Sequence, residues 1–407
     1  MAFTSILPAI GLTILFFGLA KLIVKHSAFY QQIVQKADQA QYKTLDGLRG
    51  FLALGVFFHH AVVNYQYFQI GTWQVAPSNF YTFAGQGSVA FFFMITGFLF
   101  WSKIISGSRF KLKDFYIKRA LRVLPAYWFS LAVIVVIVLI LSNFSLKVSL
   151  PRFLRQIGSW LVCGIYGFSN VSSNVFPDIN YSSVGLINAS VQWTLTYELQ
   201  FYLILPFLVW FARPSRFIGL FLTFLTLCLV SSYEPLLTLM SFLFGMAAAY
   251  VIKRLEPKKR FLGGYASLGI MVLLVAIPIL LPPPYIYNLG AIALIFCAFV
   301  LIAHGNDLFG LLTAPASKYL GTVSYSVYLL HGIILFSVLR LFNQIYPIKA
   351  INPIYFWMLV GLCGLIAISL SALTYRYIEY PFLRVKLAVN SVAKSGSSHI
   401  DRYPVEK

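Results

Sequence analysis

In the segment LDGLRGFLALGVFFHH, Asp46 and Arg49 precede an almost unbroken apolar run that ends at His59 and His60. Arg49 and His60 stand eleven positions apart. On an α-helix that is close to three whole turns, so the two side chains share one face, with the imidazole ~16 Å beyond the guanidinium. A guanidinium held beside a carboxylate suits a ligand that carries phosphate. An imidazole at the far end of the same face suits proton abstraction from a hydroxyl or transient attachment of an acyl group. His59 points about 100° away on the same helix, which makes His60 the working member. The bland alternative is a core histidine satisfied by a backbone carbonyl, and the alignment with Asp46 and Arg49 counts against it.

Three further segments place polar groups where apolar ones would be expected. In KRALRVLPAYW, Arg119 and Arg122 are three residues apart and face the same way on a helix. Anchoring at a membrane surface, with Tyr127 and Trp128 as interfacial aromatics, accounts for their charge but not for their falling on the same side as Arg49. In QWTLTYELQFYLILPF, Glu198 lies about a turn and a half into an apolar run, at a depth similar to that of His60. A carboxylate there either pairs with the imidazole, fixing its tautomer, or is a structural acid bonded to Tyr or Trp hydrogens. In GTVSYSVYLLHG, Ser324, Tyr328 and His331 follow the i, i+4, i+7 spacing of one helix face. A polar stripe of this kind faces a cavity or ties neighbouring helices together. In YRYIEYPF, Arg376 and Glu379 read as a local salt bridge.

The elements that must position these groups are membrane spans. Of 407 residues 59% are hydrophobic and 10% charged, and the mean hydropathy is +0.81, so a bilayer is the solvent. Eleven apolar stretches of about the required length are visible, at 3–24, 48–68, 84–102, 124–142, 191–212, 217–232, 235–252, 262–281, 286–304, 322–342 and 353–375. With the N-terminus outside, alternation leaves only Lys147, Arg152, Arg155, Arg340 and Lys349 of the 31 Lys and Arg on the outer side. The positive-inside rule selects this orientation, with the C-terminus in the cytoplasm. The net charge of +20 is thereby a matter of topology, and nucleic-acid binding is excluded as its explanation.

The first stretch lacks a basic n-region and reads as a retained span rather than a signal peptide. The linker SKIISGSRFKLKDFYIKRALRV suits a helix lying at the headgroup boundary up to Pro125. Residues 143–190 form the longest outer loop, with an apolar stretch at 153–168 that dips toward the membrane, and 387–407 form a polar, disordered cytoplasmic tail. Cys163, Cys228, Cys297 and Cys363 show no metal-ligand or CxxC spacing and read as buried thiols, so no metal is expected.

Taken together and in this order, the four polar segments resemble the membrane-bound acyltransferase-3 family, which includes bacterial O-acetyltransferases of O-antigen and exopolysaccharide. The resemblance covers roughly residues 43–384, within a transmembrane acyltransferase domain at 43–386, and it rests on Arg49 with His60, FFFMITGFLF, Arg119 with Arg122, the string from Trp193 to Tyr202, and the closing SYSVYLLH and IEYPF. Thr96 and Thr194 depart from the Ser that is commoner there. The resemblance implies an all-α transmembrane bundle in the bacterial inner membrane: a ten-helix core preceded by one extra helix and its cytoplasmic linker at 1–42. It implies acetyl-CoA as donor and a hydroxyl of a surface or lipid-linked glycan as acceptor. Asp46, Arg49, Arg119 and Arg122 would hold the donor phosphates, His60 and Glu198 would be catalytic, and Trp193, Tyr202, Ser324, Tyr328 and His331 would bind substrate or support the site. Some members carry a hydrolase-like domain after the last helix, and the short tail here leads to the expectation of a stand-alone transferase. The rival reading is a transporter or flippase, which the apparent lack of inverted repeats with interrupted helices disfavours.

Overall fold

With no water available inside a bilayer, backbone polar groups must bond within their own segment, and each of the eleven apolar stretches accordingly folds as a helix. The computed structural model describes residues 3–75, 77–107, 111–146, 149–163, 183–231, 233–255 and 262–384. Helix α1 spans Leu7–His26, α2 Ala28–Asp38, α3 Lys43–Ile70, α4 Asn79–Ile105, α5 Leu112–Leu141, α6 Leu150–Leu161 and α7 Ser183–Ile187. These are followed by α8 Gln192–Leu208, α9 Pro214–Ser231, α10 Glu234–Arg254, α11 Gly264–Leu280, α12 Leu289–Ala303, α13 Pro315–Ile345 and α14 Pro353–Thr374. Among the described residues eight helices are long and apolar enough to cross a membrane, and the chain is a polytopic helical bundle.

Burial sorts centre from rim. In α13, 72% of the most apolar window lies inside the protein, against 11% in α9, so α13 runs through the middle and α9 faces lipid. One apolar core joins α1, α3, α13 and α14; a second joins α4, α10 and α12. Both rest on close helix crossings made possible by glycine, which in a membrane replaces the hydrophobic effect as the means of bringing helices together. A Cβ on Gly321 of α13 would lie 1.7 Å from the Asp46 carbonyl oxygen of α3. On the other side, Cβ atoms on Gly97 and Gly245 would strike the carbonyl oxygens of Phe242 and Met94 at 2.3 and 2.2 Å, which locks α4 to α10. Because α3 and α13 run parallel from the Asp46–Gly321 crossing, His60 and His331 arrive at similar depth.

Two boundaries differ from the sequence reading. The linker before Pro125 is not a separate surface helix: α5 is continuous from Leu112 through Pro125 to Leu141, and so the two arginines stand on a membrane-crossing helix. A proline costs one backbone bond, which membrane helices tolerate where neighbours surround the kink. At the other end, α14 does not stop at residue 375 but continues through a π-helical turn at Tyr375–Glu379 to Arg384. Within the 143–190 segment, α6 covers the beginning of the apolar stretch. The sequence from 164 to 182 and the polar tail at 387–407 lie outside the described residues.

Helix α2 joins the N-terminal segment to the rest. The Tyr30 hydroxyl donates to the carbonyl of Ala372 at 2.5 Å, and Lys318, almost wholly buried, pairs with Asp38.

Candidate active site

Arg49, Arg119 and Arg122 converge on one cavity of about 560 Å³ between α2, α3, α4, α5, α8, α13 and the end of α14. Arg49 Nη1 donates to Asp46 Oδ1 at 2.8 Å across one helical turn. Asp46, Arg122, Arg119 and Glu198 all act electrostatically on the Arg49 guanidinium, which places the four charges around it. The Arg119 guanidinium lies 4.7 Å from the Phe100 ring centre and 5.9 Å from that of Tyr202, a pair of cation–π contacts that hold its plane against the wall. Its Nε has no hydrogen-bond partner among the described residues. Charged groups are costly at this depth unless compensated, and the carboxylates of Asp46, Glu198 and Glu379 supply part of the compensation.

Glu198 does not pair with His60. The Tyr202 hydroxyl donates to it in a close hydrogen bond, and it lines the arginine cavity. The reason is the register of α8. Thr194 Oγ1 lies 2.7 Å from the Tyr328 hydroxyl, which also donates to the Val191 carbonyl at 3.1 Å, so the start of α8 is pinned at the level of Tyr328. Glu198 therefore falls a turn farther along, toward the arginines. The expected Arg376–Glu379 pair is likewise replaced. Ser326 Oγ donates to Glu379, which the π-helical turn carries into the interior beside Arg122, while Arg376 stacks over Phe29 at 5.2 Å.

His60 finds its partner on α13. Its Nδ1 lies 2.9 Å from Nε2 of His331, and His331 Nδ1 lies 3.1 Å from the Val327 carbonyl oxygen. A carbonyl only accepts, so for two neutral imidazoles the hydrogens are assigned in sequence: His331 Nδ1–H donates to Val327, and His60 Nδ1–H donates to His331 Nε2. This leaves the His60 Nε2 lone pair without a hydrogen bond to the described residues, which is the form a general base requires. Asn64 Nδ2 donates to the His60 carbonyl at 2.8 Å, and the Trp73 indole lies over the ring with centroids 6.5 Å apart and planes at 21°.

His59 has a different setting, with Nδ1 2.9 Å from the Tyr81 carbonyl and its ring filling the space above Gly85. Of the remaining sequence candidates, Ser324 and Tyr328 line the cavity, and the Tyr328 ring reaches within 6.0 Å of His331. Trp193 packs edge-on against Phe93 and Tyr197 and is not part of the lining. The sequence reading missed Lys103, Tyr325 and Tyr375 in the lining, and Trp73 over His60. Lys103 carried a signal, as a cation on the same side as the arginines. Tyr325 adjoins Ser324 in the same polar run, and its hydroxyl donates to the Val123 carbonyl at 2.9 Å. Trp73 sits in a loop with no periodicity to point to it. Among the described residues no group of three or more His, Cys, Asp or Glu is placed to hold a metal ion.

Comparison with known proteins bears on what this arrangement serves. Residues 42–376 match the family model described as an acyltransferase domain. The chain belongs to the acyltransferase-3 family. It is 25% identical over 378 residues to the O-acetyltransferase OatA of Staphylococcus aureus, covering 83% of this chain and 56% of that protein. It is 24% identical over 375 residues to the peptidoglycan O-acetyltransferase OatA of Listeria monocytogenes, covering 83% and 55%. Nodulation protein 10 of Rhizobium leguminosarum is 30% identical over 168 residues, covering 40% and 43%. The chain thus spans somewhat over half the length of the two OatA proteins. No solved structure matches it.

Proposed function

We propose that this protein is an O-acetyltransferase that moves an acetyl group from cytoplasmic acetyl-CoA to a hydroxyl of a surface or lipid-linked glycan, such as lipopolysaccharide or exopolysaccharide, on the outer face of the bacterial inner membrane. The observation that carries this reading is the single face of α3 that joins a three-arginine cavity to a hydrogen-bonded histidine pair. The bias of Lys and Arg puts the arginine end in the cytoplasm, where acetyl-CoA is made available. Arg49, Arg119 and Arg122 bind the nucleotide phosphates as charge-assisted donors, with Asp46 orienting Arg49. The pantetheine arm then runs ~16 Å along α3 to bring the thioester to His60.

At that point His60 Nε2 takes the proton of the acceptor hydroxyl, whose oxygen attacks the thioester carbonyl. The carbon–sulfur bond breaks, and the CoA thiolate leaves and takes the proton from His60. His331 holds His60 in the required tautomer and spreads the charge of the imidazolium formed in between. Glu198, with Tyr202, belongs to the donor end, where it offsets the arginines. A transient acetyl group on His60 is the other route, and single-turnover trapping of labelled enzyme separates the two.

The deciding experiment compares ester-linked acetyl groups on surface glycans purified from a deletion strain, a complemented strain and a strain carrying His60→Ala. Acetylation in the complemented strain alone is expected. Identical acetylation in all three, with an acetylated product confined to the cytoplasm, would overturn both the acceptor and the direction.

A further inference from the structure

A second cavity, of about 340 Å³, lies beyond His60 at the end away from the arginines. Its lining includes Asn64, Tyr67, Phe336, Arg340, Asn343 and Gln344. The order of residues along the two central helices fixes its place. On α3 the arginine cavity takes Asp46 and Arg49, then comes His60, then the second cavity takes Asn64 and Tyr67. On α13 the sequence repeats, with Ser324 and Tyr328, then His331, then Phe336 to Gln344. The histidine pair is therefore the partition between two chambers, with Tyr67 ~10 Å past His60 along the helix.

We infer that this second chamber is the acceptor subsite, and that it takes one neutral or anionic sugar unit of the glycan. The inference rests on the transferase reading above and assigns to it a binding site. The volume falls at the low end of the ~300–1,000 Å³ typical of small-molecule sites, which fits one or two rings rather than an extended chain. Its chemistry is that of sugar recognition: aromatic faces from Tyr67 and Phe336 against which a ring can lie, and amides from Asn64, Asn343 and Gln344 that donate and accept at once, as vicinal hydroxyls require. Among the described residues no carboxylate lines it, and the guanidinium of Arg340 lies 5.7 Å from the Phe336 ring centre, so these residues accommodate an anionic sugar and disfavour a cationic one.

The links to His60 are direct. Asn64 lines the chamber and donates through Nδ2 to the His60 carbonyl, while Tyr67 lies 6.1 Å from Trp73, whose indole covers the His60 ring. Gly71, with φ of 75°, ends α3 and turns the chain so that Trp73 comes back over the imidazole. Asn64 and Tyr67 are thus the chamber residues that adjoin the His60 end of α3.

The test uses the detergent-purified full chain, with labelled acetyl-CoA as donor and alkali-treated, de-O-acetylated polysaccharide from the deletion strain as acceptor. Gln344→Ala and Tyr67→Leu should each raise KM for the polysaccharide by about fivefold or more, the loss expected for one polar or stacking contact, with CoA affinity unchanged. Gln344 is exposed, so its replacement leaves the fold intact. As a second readout, Gln344→Cys should react with a maleimide and be protected by the polysaccharide but not by CoA. Unchanged KM in both variants, or labelling that the polysaccharide does not slow, would overturn the assignment. Loss of CoA affinity in Gln344→Ala would also overturn it. Failure of the transferase reading looks different, because the wild type then gives no product that His60→Ala fails to give.

Discussion

Arg49 and His60 stand on one face of one helix, and the protein holds them by opposite means. Arg49 sits among charges: Asp46 at 2.8 Å, two further arginines, and Glu198 across the cavity. His60 sits among neutral groups, hydrogen-bonded to His331 and with the Trp73 indole over its ring. The first arrangement is a site awaiting an anion, because its positive groups outnumber the carboxylates around Arg49 and one buried nitrogen of Arg119 is left over. The second suits a proton acceptor, because the hydrogen bond that His60 Nδ1 makes to His331 leaves Nε2 without a partner among the described residues. Binding and chemistry are thus separated by three helical turns, and substitutions at the two poles should fail in different ways.

The sharpest break comes at the neutral pole. On the proposed reading His60→Ala removes the general base, and turnover should fall by about 10²- to 10⁴-fold, the usual contribution of such a group. CoA affinity, measured by calorimetry, should not change. A variant that still turns over at the wild-type rate would remove the basis for assigning chemistry to this pole.

At the charged pole the signature reverses. Arg119→Ala and Arg122→Ala should each weaken CoA binding by about tenfold or more, since a hydrogen bond to a charged group contributes ~1.5–3 kcal/mol. Lysine at these positions should restore little, because it lacks the planar fork that grips phosphate. Unchanged CoA affinity in the double variant would return the pair to membrane anchoring.

Much of this contrast was legible in the sequence, and the limits are instructive. The eleven apolar stretches, each of which forms a helix, follow from apolar length, and the shared face of Arg49 and His60 follows from helical period alone, since both are local properties. The partners of these residues are not local. His331 rather than Glu198 meets His60 because α3 and α13 cross at Gly321, and because the Thr194–Tyr328 contact sets the register of α8. A depth counted from a span boundary cannot supply that register when the boundary itself is uncertain by a turn. Glu379 escaped for a similar reason: the π-helical turn at Tyr375–Glu379 rotates it off the face that a regular helix would give it. Trp73 reaches His60 through a loop, which carries no period to read.

The third prediction tests whether the neutral pole is one residue or a pair. His331→Leu removes the acceptor of the His60 Nδ1–H bond, frees the imidazole to rotate or change tautomer, and should lower kcat by about tenfold, typical of a lost orienting partner. CoA affinity should hold. His331→Gln, whose amide oxygen can accept the same hydrogen, should recover part of the rate. A residue that only fills space would show no such rescue, so equal rates for Leu and Gln would make His331 a packing residue.

The smallest effect on chemistry is expected next door, at His59. Its Nδ1 is bonded to the Tyr81 carbonyl at 2.9 Å, and its ring lies so close to α4 that a Cβ on Gly85 would come within 2.4 Å of it. Both contacts tie α3 to α4, and neither turns toward His331 or the arginine cavity. His59→Ala should therefore leave kcat and CoA affinity within about twofold of wild type while costing ~1–3 kcal/mol of stability, from the lost interhelical hydrogen bond and the space left above Gly85. Gly85→Ala should reproduce the loss from the opposite side, since the added methyl group displaces the same ring. A thermal shift in detergent and a turnover assay on the same preparation separate the two readouts. If His59→Ala instead abolished turnover with stability intact, the division between the two histidines would be wrong, and the working imidazole would be the one that faces α4.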